Sequence, residues 1–340
     1  DMYNAKYLSS LYNHNLIKQI IWYGIGIFIF IVSKCINTKN IFKYSFILYI
    51  ISIVLLIYVL MFGKVINGAK AWITIKGLSF QPSELTKLSL AIMLSDLAGK
   101  FKSTGIKSEF IFLLKVAILI LIPSVLVFLE PDSGAIIFFL VITLAILIFS
   151  DIHKFWFTIV FILIALFIGG FILLYLYNKD LLINLIGTSF FYRVERLITF
   201  KTMSSYQLEN ALVAMGSSSL LGTGLGKVSL YIPEAPTDFI FAFSISNFGY
   251  LCGFIILSCY FLMDLFLINK IINMKKNTLK YILISFTSIF LFGQIINIGM
   301  NLGLLPIIGI PLPFLSYGGS TLIIYFTFLS IIFNSFEKSY

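Results

Sequence analysis

The chain of 340 residues is 60% hydrophobic and 11% charged, which excludes an ordinary soluble domain, where roughly a quarter of residues carry charge. Lipid is the solvent that suits such a surface, because helices satisfy their own backbone and can face hydrocarbon with apolar side chains. The formal charge of +10 does not argue for nucleic acid, since excess lysine in a membrane protein records which loops stay in the cytoplasm.

A hydrocarbon core of roughly 30 Å takes about 20 helical residues to cross. Residues 1–15 are polar, rich in Tyr and Asn, and lack the apolar core of a signal peptide. Nine spans are predicted, at about 16–36, 43–62, 83–98, 110–129, 133–150, 155–177, 238–267, 280–301 and 318–335. The fold class is therefore an all-α polytopic membrane bundle, a single domain over 1–340.

Lysines orient it. Lys39 and Lys43, then Lys100, Lys102 and Lys107, then Lys154, then Lys270, Lys275, Lys276 and Lys280 mark the loops after spans one, three, five and seven as cytoplasmic. Lys338 puts the C-terminus on the same side. An exterior N-terminus with an odd span count is awkward to insert, and the chain starts at Asp1, so a native tenth span before it is expected.

The segment of about 178–237 becomes the large extracytoplasmic loop, too long for a simple connector. It holds the chain's two arginines, Arg193 and Arg196, a turn with Gly222, Gly224 and Gly226, and the run Pro233–Asp238. Cys35, Cys252 and Cys259 fall in apolar stretches and read as buried thiols. His14 and His153 lie far apart, and no Cys/His cluster suggests zinc.

Three helix starts pair a proline with an acid: Pro82 with Glu84, Pro131 with Asp132, and Pro236 with Asp238. All fall on the exterior side. Singly, each acid is explained as a helix-start residue that complements exposed N–H groups. Together with Lys87, three residues after Glu84, and with Arg193 and Arg196, they form an outward set of acids and cations. Ionisable groups at membrane depth are expensive and face a cavity or a partner. Such a set suits an anionic headgroup, with guanidinium groups on phosphate oxygens. A carboxylate among them can take a proton from a hydroxyl nucleophile. The stretch 302–320, LGLLPIIGIPLPFLSYGGS, reads equally as a re-entrant loop packed on protein and as a groove for a lipid tail or headgroup.

The segments NGAKAW (67–72), FQPSELTKL (80–88), EPDSGAI (130–136), GLGK (224–227), IPEAPTDFIFA (232–242) and PLPFLSYGGS (311–320) resemble, in order and over nearly the whole chain, the SEDS family, the RodA/FtsW group of shape, elongation, division and sporulation proteins. The resemblance implies ten spans in the native protein and a bacterial cytoplasmic-membrane location. Residues 1–15 would be the loop after the missing first span. It also implies a peptidoglycan glycosyltransferase that polymerises lipid II on the outer face of that membrane, beside a class B penicillin-binding protein and other elongation or division proteins.

By the resemblance Asp238 is the essential acid, and Glu84, Lys87, Glu234, Arg193 and Arg196 meet the substrate. Lys70 stands near the place of a family arginine, which here is Ala71. A histidine common before the TDF motif is Pro236, and an acidic pair usual after it is lost near Ser246 and Asn247. The INIGMNLGLLP run (296–306) resembles the RodA branch, with a sporulation paralogue as the alternative. A divalent cation, Mg2+ or Mn2+, is a further expectation, with Glu84, Glu234 or Asp238 to help hold it. The rival readings are a flippase for lipid-linked precursor, which predicts ionisable residues through the bilayer centre, and a non-catalytic scaffold for a penicillin-binding protein.

Overall fold

The computed structural model describes residues 2–33, 38–66, 69–75, 78–188, 191, 195, 206–224 and 231–337. Arg193, Arg196, Cys35, Gly226, Lys227 and Lys338 lie outside the described residues. The helices are α1 (Met2–Ser33), α2 (Thr38–Lys43), α3 (Ser45–Phe62), α4 (Pro82–Lys100), α5 (Ile106–Leu129), α6 (Ser133–Phe149), α7 (Lys154–Tyr177), α8 (Lys179–Ile186), α9 (Tyr206–Gly216), α10 (Ile240–Asn273), α11 (Thr278–Asn301) and α12 (Gly319–Glu337). Each predicted span coincides with one of them. Six (α1, α3, α5, α7, α10 and α11) are long and apolar enough to cross a membrane, and α6 and α12 are shorter apolar helices.

The helical bundle stands as expected, with one addition and two corrections. Residues 2–15 are not a loop, because α1 is continuous from Met2. Between α3 and α4 the chain adds a three-stranded antiparallel sheet of β1 (Lys64–Ile66), β2 (Ala69–Ile75) and β3 (Leu78–Phe80), in the order β1-β2-β3. Ile66 pairs with Ala69 and Ile75 with Leu78. Nor are the thiols core residues, since Cys252 is half-buried and Cys259 exposed.

Helix α4 sits at the centre, packed on α3, α5, α6, α11 and α12. Proline at its first position and Gln81 in extended conformation before it start the helix abruptly. Its buried face carries Ser83, Thr86, Ser89 and Ser95 among apolar residues. That composition suits packing in lipid, where small residues allow close approach and hydroxyls bond across helices. The Ser89 and Ser52 hydroxyls lie 2.8 Å apart and join α4 to α3. Phe286 and Phe290 of α11 and Phe328 of α12 fill the core beside it.

Helix α7 stands apart, with no buried side chain among its described residues. Its Lys154 end is tied down by the buried Glu109 of α5. That carboxylate accepts from Trp156 Nε1 at 2.8 Å, from the His153 ring at 2.5 Å, and from the Ser103 hydroxyl.

The predicted span at 238–267 is broken. Gly249 inside α10 has φ 83° and ψ 176°, which interrupts the helical ladder. The loop after α9 fills the gap: Tyr250 and Leu251 donate backbone N–H to the Ser219 and Leu220 carbonyls. Thr223 N donates to Ser246 O and Gly224 N to Asn247 O. These bonds stand in for helical ones that the break gives up.

Candidate active site

Four of the motif segments, 80–88, 130–136, 232–242 and 311–320, lie far apart in sequence and meet at one end of the bundle, the end that the lysines predict to be exterior. Asp132 joins two of them. It caps α6 by accepting from Ala135 N at 3.3 Å, and its other oxygen accepts from Gln81 Nε2 at 2.7 Å and Ser83 Oγ at 2.9 Å. Gln81 N in turn donates to Ser320 Oγ at 3.1 Å, which attaches the C-terminal motif. We expect Asp132→Ala to cost about 2–4 kcal/mol in thermal unfolding. It removes an N-cap worth typically ~1 kcal/mol and leaves donors facing a missing charge, at about 1.5–3 kcal/mol.

Asp238 lies just before α10, and its backbone is held from two sides. Its carbonyl accepts from Asn297 Nδ2 at 3.0 Å and Asn301 Nδ2 at 2.9 Å, while Asn297 also reaches Ile310 O at 2.8 Å. Ser316 Oγ donates to Thr237 O at 2.6 Å, and Tyr317 N to Pro236 O at 2.7 Å. The 302–320 stretch is thus packed against protein around the TDF turn, in line with the first of its two readings.

The Asp238 carboxyl itself is half-buried and makes no hydrogen bond or ion pair among the described residues. The α10 N-cap is Phe239, so Asp238 is not spent on capping. Burial first, and the nearby Glu234 carboxylate second, push it up to about 6. Glu234 turns the chain in a left-handed conformation (φ 52°). Its Oε2 accepts from Thr237 Oγ1 at 2.9 Å, and its side chain is exposed. Strain of this kind costs of order 1–3 kcal/mol and tends to collect at working sites.

The other expected substrate residues are placed differently. Lys87 Nζ meets Glu84 Oε1 at 2.5 Å with both side chains buried, and it lies 4.3 Å from the centre of the Phe138 ring. The pair is closed on itself and braces the start of α4, not open to a ligand. Lys70 is also committed, because its Nζ donates to the Leu60 and Met61 carbonyls at 2.8 and 3.1 Å and caps α3. For a divalent cation, Asp238 and Glu234 are the acids left. Among the described residues no group of three His, Cys, Asp or Glu side chains converges to hold a metal. These side chains do not form a cation cage.

Sequence alone assigns no role to Glu130, Asn297 or Asn301. The asparagines, four apart in an apolar helix, share a face, and that spacing was a readable signal. Glu130 is fully buried with neither carboxyl oxygen bonded. Burial first, then the Asp132 charge, push it up to about 8.

The chain resembles known proteins over most of its length. The FTSW_RODA_SPOVE family, described as cell cycle protein, matches residues 1–339. The chain is 33% identical over 332 residues to a protein named probable peptidoglycan glycosyltransferase FtsW from Wigglesworthia glossinidia brevipalpis, covering 94% of this chain and 82% of that protein. It is 36% identical over 321 residues to the FtsW of the same name from Buchnera aphidicola subsp. Baizongia pistaciae, covering 90% and 80%.

Among solved structures it resembles a chain from a study of polymerization and crosslinking by a peptidoglycan synthase complex, with TM-score 0.75 at 24% identity over 96% of this chain and 90% of that one. It also resembles the crystal structure of the Thermus thermophilus rod shape determining protein RodA, with TM-score 0.67 at 24% identity over 96% and 88%. The likeness therefore runs across both the FtsW and RodA branches. The chain belongs to the FtsW/RodA/SpoVE family of multi-pass membrane proteins.

Proposed function

We propose that this protein is a peptidoglycan glycosyltransferase that polymerises lipid II at the outer face of the bacterial cytoplasmic membrane. The observation that carries the reading is the contrast among the three outer acids. Asp132 is consumed as a cap and clamp and Glu84 by Lys87, while Asp238 is rigidly mounted, half-buried and unpaired among the described residues. A carboxylate so placed, with its proton affinity raised toward neutrality, suits a general base, whose ideal pKa lies near the working pH.

In the reaction, Asp238 takes the proton from the 4-hydroxyl of an incoming lipid II. The oxygen attacks the anomeric carbon of the lipid-linked strand, and the bond to the diphosphate breaks. Undecaprenyl diphosphate leaves with the electron pair, and inversion yields a β-1,4 link. Glu234 flanks the acceptor, and Arg193 and Arg196 are proposed to meet the diphosphate charge as it develops. Glu84, Lys87 and Lys70 act from behind, by holding α4 and α3. A magnesium or manganese ion would have to draw most of its oxygens from the diphosphate itself, and EDTA treatment with and without added Mg2+ measures its share.

The same reading places the C-terminus in the cytoplasm and a class B penicillin-binding protein alongside. The test is glycan-strand synthesis by purified protein from lipid II in detergent, with and without that partner. No membrane needs crossing there, so a flippase makes no strands. A scaffold makes none either, yet still supports growth of a depletion strain when Asp238 is changed.

A further inference from the structure

Glu130 ends α5 with its carboxyl fully out of solvent and both oxygens bare. Among the described residues, neither Lys87 nor Lys70 is free to neutralise it. Helices α3 and α6, packed on α5, contain no charged residue. On α4, Lys87 is closed on Glu84, and Lys70 of the sheet is held by α3 carbonyls. The charged group that acts on Glu130 is Asp132, two residues on. Asp132 already receives Gln81, Ser83 and the Ala135 N–H.

We propose that Glu130 is a positioning residue that works as a neutral carboxylic acid, leaving undisturbed the Asp132 clamp on α4 and α6 at the mouth of the site. A charge on Glu130, shut off from solvent and two residues from the Asp132 carboxylate, is costly. Ionised, Glu130 would repel Asp132, loosen its hold on Gln81 and Ser83, and free the start of α4, which carries the Glu84–Lys87 brace. The mouth is thereby tied to the proton on a group that touches no substrate.

The sign follows from linkage. A carboxyl that binds its proton more tightly when folded contributes stability that is present below its unfolded value near 4.5 and lost as pH rises to about 8. The experiment compares wild type with Glu130→Gln, an isostere that is always neutral, by thermal unfolding of the detergent-solubilised protein from pH 5 to 9. The two should match near pH 5, and the advantage of the glutamine variant should widen up to about pH 8 and then stay constant. In lipid II polymerisation, the alkaline limb of the wild-type rate profile should move to higher pH in the variant.

Parallel unfolding curves would overturn the proposal, and so would a glutamine variant that fails to fold at pH 6. The polymerisation arm rests on the proposed activity; the unfolding arm does not. Diverging unfolding curves with no strand synthesis by either protein would reject the activity and keep the role of Glu130.

Discussion

Replacing Asp238 by asparagine should lower strand synthesis from lipid II by about 10²–10⁴-fold, the usual contribution of a positioned general base, with the fold intact. The fold should survive because the backbone carbonyl of residue 238, not its carboxyl, carries the bonds from Asn297 and Asn301. The wild-type rate should fall on the acid side of about pH 6, where Asp238 takes up its proton.

Stability shows the opposite trend. A carboxyl with raised proton affinity stabilises the fold most below its unfolded value near 3.8, and that contribution is lost as pH rises through about 6. The variant should therefore gain in unfolding temperature, relative to wild type, as pH increases from 4 to 6. An asparagine variant that makes strands at the wild-type rate would remove Asp238 from the reaction and leave the bundle without an assigned base.

The largest loss of stability is expected at the crossing of two glycines. At Gly249 a Cβ would stand 2.1 Å from the Leu220 carbonyl oxygen and 2.4 Å from Gly222 N, and φ is 83°. Opposite it, a Cβ on Gly222 would come within 2.2 Å of the Asn247 carbonyl. Backbone in the region of Gly249 costs a residue with a side chain about 1–3 kcal/mol. Pushing the loop away also breaks bonds worth about 0.5–1.5 kcal/mol each.

We therefore expect Gly249→Ala to destabilise by about 3–5 kcal/mol, read as a fall in unfolding temperature. Gly169→Ala in α7 meets nothing within 4 Å and should be neutral or more stable by about 0.5–1 kcal/mol. Equal effects at the two positions would mean that the crossing does not hold. Because the segment before Gly249 continues from Asp238, the alanine variant should also slow polymerisation even where it still folds.

Much of this protein was legible in its residues alone. Apolar runs near 20 residues can satisfy their backbone in lipid only as helices, so the spans follow from composition and length. The role of Asp132 as a helix start follows from Pro131 before it. The small sheet is harder to read from sequence, because the apolar residues at 65–66 and 72–75 sit between two spans and blend with them.

What the tertiary structure alone decided is which acid is free. Glu84, Asp132 and Asp238 look alike as helix-start acids, since local spacing records only neighbours along the chain. Glu84 finds its partner three residues on, in Lys87, but the other two depend on distant segments: Gln81 and Ser83 come to Asp132 from across the bundle, while nothing among the described residues bonds the Asp238 carboxyl. Likewise, a glycine in an apolar run says nothing of a broken helix until a second strand of backbone arrives to take up its hydrogen bonds. Burial and partnership are properties of contacts between distant segments, and only the packed bundle creates them.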